Sequence, residues 1–286
     1  MAAERILAAD LGSHQPGADD QDLHGAKRSY SWTDLDDRAA IVTGAGSGIG
    51  AATARLLGSR GMTVALVGRR REQLEEVAAE VDAGLGSALV VQEDLADPDS
   101  PHRIVDAVLE RAGRLDVLVN NAAHLRLTPV EDVSLAELDA HLAVNLRAPY
   151  LLVQAALAAL KASSAAVVVN VSSAAAAMYR RRQTVYGMTK AGIEHLTKNL
   201  AAELAPHGIR VNCIRPGPVD TPIHRAAVAD PEARLRELGQ LVPLGRVGQP
   251  EEIALWIGHL VEPEARWVTG AVFVIDGGRV LGPREV

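Results

Sequence analysis

The chain has one cysteine, Cys213, in 286 residues, which excludes an intramolecular disulfide framework and any metal site built from cysteines. That usage fits a reducing, cytoplasmic setting. Aromatic residues make up only 3%, too few for stacked platforms that hold single-stranded nucleic acid or sugar rings. Long hydrophobic runs are missing as well: the stretch Tyr150–Leu160 is interrupted by Gln154 and falls well short of the ~18 residues a membrane span requires. No membrane association is expected. The N-terminal MAAERILAADLGSH carries Glu4 beside a very short apolar stretch, unlike a secretory signal. Basic excess is also absent, with 29 Lys+Arg against 36 Asp+Glu and a net charge of -7, so no nucleic-acid partner is expected, because neutralising phosphates needs a basic face. Small molecules are the expected partners.

What is present is core-forming material, 48% hydrophobic against 23% charged. Residues 1–37 are polar and acidic, hold Gly12, Pro16, Gly17 and the acids Asp19, Asp20 and Asp22, and show no sustained period. They read as an arm that is either flexible or laid over a neighbouring subunit. From 38 to 286 the texture is that of one domain. Short β-rich runs (39–43, 63–67, 88–92, 117–120, 165–171, 210–214 and 271–275) alternate with stretches of helical period at about 49–60, 70–83, 102–113, 134–162 and 184–205. Such alternation predicts an α/β fold with right-handed crossovers, a single doubly wound domain whose seven-stranded parallel sheet carries helices on both faces. The near-continuous Val/Ile/Leu character of the strands agrees with burial on both sides. Residues 215–250, rich in Pro and Gly, read as a loop-and-helix insertion over one edge.

The first strand runs into Thr43-Gly44-Ala45-Gly46-Ser47-Gly48-Ile49-Gly50. Glycines here permit positive φ and let the backbone and a helix N-terminus approach a pyrophosphate. Alone, the turn is equally a tight strand-to-helix connection. About twenty residues on, where an NAD site places an acid for the ribose 2′-OH, the chain has Gly68-Arg69-Arg70-Arg71 and no acid. Arg69 suits a 2′-phosphate, since a guanidinium offers a planar fork of donors, within a basic cluster at Arg69–Arg71; the alternative is that Arg70 and Arg71 are a solvated first helical turn and Arg69 stacks on adenine in an NAD enzyme. This favours NADP(H), with NAD(H) as the alternative.

Ser173, Tyr186 and Lys190 carry the chemistry, with Asn145 upstream. Ser173 closes a buried strand, and Tyr186 and Lys190 stand at i and i+4 on a helix, hence on one face. With four Tyr and four Lys in the chain, a chance Tyr-x-x-x-Lys is expected about 0.06 times. A phenol of pKa near 10 is a poor acid or base at neutrality. An ammonium ~4 Å away at an effective dielectric near 20 is worth on the order of 4 kcal/mol, about three pKa units, so Lys190 is expected to draw Tyr186 toward working pH. Ser173 can hold a substrate oxygen by hydrogen bonding. It has no adjacent His and no Gly-x-Ser-x-Gly setting, so an acyl nucleophile is not expected.

From 39 to 278 the chain resembles the classical short-chain dehydrogenase/reductase (SDR) family. The resemblance rests on Thr43–Gly50, Asn120-Asn121-Ala122, Asn145, the Ser173–Tyr186–Lys190 set, Asp94-Leu95, Arg215-Pro216-Gly217 through Thr221, and Ile275-Asp276-Gly277-Gly278. It implies a Rossmann-type fold and a cofactor contacted by Gly44, Ser47, Gly48, Ile49, Gly50, Arg69, Asp94, Leu95, Asn121, Ala122, Tyr186, Lys190, Pro216, Gly217, Val219 and Thr221. It further implies that Lys190 binds ribose hydroxyls, that Asn145 holds a water in a proton relay, and that the protein is a homo-oligomer, tetramer or dimer. Ala123 stands where the family often has Gly, and Trp267 where Tyr is more usual; neither removes a reacting group.

The expected activity is NADP(H)-dependent hydride transfer between nicotinamide and a carbonyl or secondary alcohol, with Tyr186 as proton donor or acceptor. The alternatives are an NAD-dependent alcohol dehydrogenase of the same fold and a non-catalytic dinucleotide-binding regulator. Arg180-Arg181-Arg182, just before the Tyr186 helix, reads either as a solvated or subunit-facing charge run or as an attractor of an anionic substrate. His224 and Arg225 are open in the same way. The remaining histidines show no metal-ligand spacing, so no catalytic metal is expected.

Overall fold

The computed structural model describes residues 35–225 and 230–282. Of the segment read as an arm, all but the last three residues lie outside these. Leu35 is buried in the core and its N–H donates to the Arg60 carbonyl at 2.9 Å, so the packed structure includes at least that residue.

Seven strands alternate with helices: β1 (Ala39–Thr43), α1 (Gly48–Gly58), β2 (Thr63–Gly68), α2 (Arg71–Asp82), β3 (Ser87–Gln92), α3 (Ser100–Ala112), β4 (Val117–Asn120), α4 (Leu135–Leu142), α5 (Ala148–Ala162), β5 (Val167–Val171), α6 (Thr184–Leu204), β6 (Arg210–Pro216), α7 (Pro222–Arg225), α8 (Pro231–Gln240), α9 (Pro250–Val261) and β7 (Val272–Ile275). All strand pairings are parallel and the order is β3-β2-β1-β4-β5-β6-β7. The order reverses between β1 and β4, and in such sheets ligands bind beyond the carboxyl ends of the strands at that point.

Because successive side chains in a strand point to opposite faces, each central strand contributes to two separate cores. Ala40, Val42, Leu66, Val119 and Val169 pack with Leu57 of α1, Val77 of α2 and Ile257 of α9. Ile41, Ala65, Val67, Leu118 and Val168 pack with Ile104 of α3, Leu152 of α5 and Leu200 of α6. Full burial on both faces explains strands that read as continuous apolar runs rather than alternating ones.

The stretch read as one helix over 134–162 is three pieces. α4 and α5 are joined by a π-helical turn, Ala143–Arg147, that contains the buried Asn145. As one helical run, Leu135–Ala162 is long and apolar enough to cross a membrane by length and composition alone, which sequence inspection missed because Asp139, His141, Asn145 and Arg147 break its apolar stretches. Its apolar side is spent on the core instead, with Ala148, Leu152, Val153, Ala156 and Leu160 buried beneath the sheet. The insertion after β6 supplies α7 and α8, and a bridge between Val219 and Gly248 closes its base.

Candidate active site

Every group of interest follows the carboxyl end of a strand. At β1 the chain turns through Gly44 and Gly48, whose φ values of +67° and +54° L side chains rarely adopt. A Cβ on Gly50 would stand 2.2 Å from the Gly44 carbonyl oxygen, so this glycine lets helix α1 start hard against the turn. Ser47, the N-cap, makes no side-chain cap to α1, which leaves first-turn N–H groups directed at the cleft. Thr43 braces the turn to β4: its hydroxyl donates to the Val119 carbonyl at 3.2 Å and accepts from the N–H groups of Asn121 and Ala122 at 2.9 and 3.0 Å. Asn121 completes the brace through its Nδ2, which donates to the Thr43 carbonyl at 2.9 Å.

Gly44, Ser47, Gly48 and Ile49 line one continuous cleft together with Arg69, Asp94, Leu95, Asn121, Ala122, Pro216, Gly217, Val219 and Thr221. Ser173, Tyr186 and Lys190 line the same cleft. Gly50 and Asn145 do not: Gly50 lies behind the glycine turn, and Asn145 is buried behind the wall. Arg70, read as part of a solvated helical turn, precedes α2 and faces the cleft beside Arg69, with its Nη2 3.5 Å from the Ser47 hydroxyl. Arg70 and Arg71 are both exposed, Arg71 being paired with Glu75 at 2.7 Å. The residues present suit a dinucleotide: a cradle without Cβ atoms, uncapped N–H donors at a helix start, and guanidiniums beyond the end of β2.

Ser173 ends the extended segment after β5, and its hydroxyl accepts from the Ala175 N–H at 3.2 Å while hydrogen bonding to Tyr186. Lys190 lies one turn after Tyr186 on α6, with Nζ 5.8 Å from the phenol ring centre and donating to the Val171 carbonyl at 2.7 Å. The electrostatic balance corrects the expectation from spacing. Burial pushes the Tyr186 phenol up to about 12, against a smaller lowering by Ser173, and burial drops Lys190 to about 8. Desolvation disfavours both charged forms, and one of the three ammonium donors is taken by a backbone carbonyl. Burial thus opposes the lowering of the phenol that the spacing led one to expect.

Asn145 clamps the loop after β4. Its Oδ1 accepts from the His124 N–H at 2.7 Å, and its Nδ2 donates to the His124 carbonyl at 2.9 Å and to the Thr189 hydroxyl at 3.0 Å. The same loop brings together three groups that sequence spacing did not connect, His124, Glu137 and His141, whose ligand-type atoms lie within 4.8 Å of one another. Each already has a partner. His141 donates from Nδ1 to the Glu137 carbonyl at 2.9 Å and accepts at Nε2 from the Arg126 N–H, while His124 Nε2 lies 3.2 Å from the Glu137 carboxylate. The one visible signal was the i, i+4 spacing of Glu137 and His141.

Residues 44–279 match a family model described as Enoyl-(Acyl carrier protein) reductase. The chain is 38% identical over 247 residues to D-threitol dehydrogenase of Mycolicibacterium smegmatis, covering 86% of this chain and 94% of that protein. It superposes with a TM-score of 0.81 on a short-chain dehydrogenase/reductase from Serratia marcescens, 35% identical and covering 86% of this chain and 99% of that one. A short-chain dehydrogenase from Burkholderia cenocepacia in complex with NADP gives 0.80 at 34% identity, again over 86% and 99%. With a parallel seven-stranded sheet, a glycine turn at its switch point and these relatives across most of its length, the chain is an oxidoreductase of the short-chain dehydrogenase/reductase family.

Proposed function

We propose that the protein is an NADP(H)-dependent reductase of a small carbonyl compound, or the dehydrogenase of the corresponding secondary alcohol. The observation that carries the reading is the convergence of Ser173, Tyr186 and Lys190 on the cleft that the glycine turn opens. Bound along this cleft, a nicotinamide dinucleotide supplies or accepts the hydride. First-turn N–H groups of α1 hold its pyrophosphate, and Arg69 with Arg70 hold its 2′-phosphate. The Ser173 hydroxyl hydrogen-bonds the substrate oxygen and keeps the carbonyl carbon in line. Tyr186 gives that oxygen its proton as hydride arrives, and the Lys190 ammonium stabilises the phenolate that remains. Asn145 sets the β4 loop from behind. Burial keeps the phenol protonated, the form that can give a proton to a carbonyl oxygen.

The NADP complex of the Burkholderia relative and the absence of an acid after β2 both support NADP(H) over NAD(H). Assembly into a homo-oligomer is supported by two exposed apolar faces. One is a groove between α5 and α6 lined by Leu146, Tyr150 and Leu196; the other is edge strand β7, where Val274 is exposed.

The test is NADPH oxidation against a panel of ketones, aldehydes and quinones, with Tyr186→Phe beside the native enzyme. The variant should bind NADPH normally and lose at least a thousandfold in turnover. Retained turnover would refute the assignment of the proton donor, and no oxidation of NADPH with any of the panel would favour the non-catalytic alternative.

A further inference from the structure

The arginine run before α6 is sorted by the fold. Arg181 and Arg182 are exposed, and Arg182 is occupied with the β4 loop, donating from Nη2 to the Leu127 carbonyl at 3.1 Å while its own carbonyl accepts from Thr128 N–H. Arg180 instead turns into the cleft that holds Ser173 and Tyr186. There it meets Arg279, from the turn after β7, and His224 of α7.

Among the described residues, no acid lines this end of the cleft. The acids that line the cleft, Glu93 and Asp94, follow β3 on the far side of the switch point. Neighbouring acids are committed elsewhere: Asp220 takes both arms of Arg225 at 2.5 and 2.6 Å, and Asp276 accepts from the N–H groups of Gly278 and Val280. Among the described residues neither Arg180 nor Arg279 has a carboxylate partner, and the Nε of Arg279 is buried without a hydrogen bond. Gln183, on the same wall, likewise has a buried Oε1 without one. Two partly desolvated guanidiniums with a buried open donor are costly alone and are relieved by a planar acceptor of opposite charge.

We propose that Arg180 and Arg279 form a carboxylate subsite, so that the substrate is an oxo acid or hydroxy acid. This rests on the hydride-transfer reading above and adds the substrate class to it. The local field agrees. Arg279 and Arg234 add to burial in lowering the Arg180 guanidinium. Burial, with Arg180 and Arg234, holds His224 down to about 4, so that His224 is neutral at working pH and can serve the bound anion as a neutral hydrogen-bond group.

Two measurements test it. In the first, butyrate and its neutral counterpart butyramide are titrated calorimetrically onto the NADP⁺-saturated protein. Butyrate should bind at least tenfold more tightly, and Arg180→Gln and Arg279→Gln should each reduce that preference by about 10- to 100-fold, the usual size of a lost charge-assisted contact. Arg180→Lys and Arg279→Lys, which keep charge and bulk, should retain part of it and serve as folded controls. In the second, straight-chain oxo acids with the ketone at carbons 2 to 6 are compared with their methyl esters by kcat/KM. At least one acid should exceed its ester tenfold, and the Gln variants should bring the acid-to-ester ratio toward one. Equal binding of butyrate and butyramide, or a preference untouched by both Gln variants, overturns the subsite. Esters reduced as well as acids overturn it too and leave the reductase reading standing. Butyrate binding that depends on both arginines, with neither acids nor esters reduced and the matching hydroxy acids not oxidised with NADP⁺, supports the subsite and refutes the hydride-transfer reading instead.

Discussion

Lys190 shows how a single buried side chain ties activity to pH. Its folded pKa of about 8 lies below the ordinary 10.5, so between those values the unfolded chain holds a proton that the folded chain does not. Stability then rises with pH across that window, while at lower pH the folded state carries the full cost of burying the ammonium, about 3 kcal/mol. Melting curves of native protein and Lys190→Met should separate as pH falls from 10.5 to about 8, with the variant more stable, and keep that separation at lower pH; an offset unchanged across this window would show that the shift is not borne by Lys190. For the reaction the sign reverses. Loss of the Lys190 charge removes the stabilisation of the phenolate, so carbonyl reduction should be flat at lower pH and fall above about 8. A fall that survives in Lys190→Arg, which stays charged, would assign it to another group. At the cofactor's other end, Arg69→Asp together with Arg70→Ala should weaken NADPH binding by at least tenfold more than NADH binding, read by fluorescence titration; equal losses would remove the 2′-phosphate assignment.

The candidate groups of the cleft were legible residue by residue because chemistry at fixed spacing leaves a mark: Tyr186 and Lys190 one turn apart, and glycines where a Cβ would strike a carbonyl. Their electrostatic balance was not, since spacing says how near two groups come and nothing of how much water they lose. Arg279 was invisible for another reason. It lies 99 residues after Arg180 in the numbering, and only the placement of β7 brings it to the cleft.

Among the elements, strand positions were read to within about two residues from apolar runs alone, because two-sided burial leaves little room for polar interruption. Helical period could not reveal the π turn at Ala143–Arg147, since one added residue shifts the phase without breaking the pattern. That turn aims Asn145 at the His124 backbone. Asn145→Ala should free the β4 loop by leaving the His124 N–H and carbonyl without their side-chain partner; faster amide exchange at residues 123–128 is the direct readout. Elsewhere a buried ion pair holds the end of α9 against the turn after α1, with Arg60 Nη1 2.7 Å from Glu262 Oε1 and both side chains almost inaccessible. Breaking a buried pair is destabilising, so Glu262→Ala should lower stability in denaturant unfolding. A variant as stable as the native chain would show that this pair does not hold α9 in place.

At the scale of the whole molecule, the strand order rather than any one motif puts the site where it is. Residues that follow β1, β4, β5 and β6 meet because the sheet winds outward in both directions from the β1–β4 seam. The two apolar faces, at α5–α6 and at β7, lie on different parts of the surface. If the proposed homo-oligomer forms through these faces, Tyr150→Arg and Val274→Arg should disrupt different contacts between copies, and light scattering of each variant should give smaller species than the native chain; a native chain that scatters as a monomer would overturn the proposal.

The division of the core into two clusters separates closeness in sequence from closeness in energy. Ile41 and Val42 are covalent neighbours, yet their side chains share no common pocket, whereas Val42 and Ile257 stand more than two hundred positions apart in one cluster. Double-mutant cycles should find truncations of Ile41 and Val42 additive and those of Val42 and Ile257 coupled. The sheet then works as a partition, and the protein can accumulate compensating changes on one face without the other registering them.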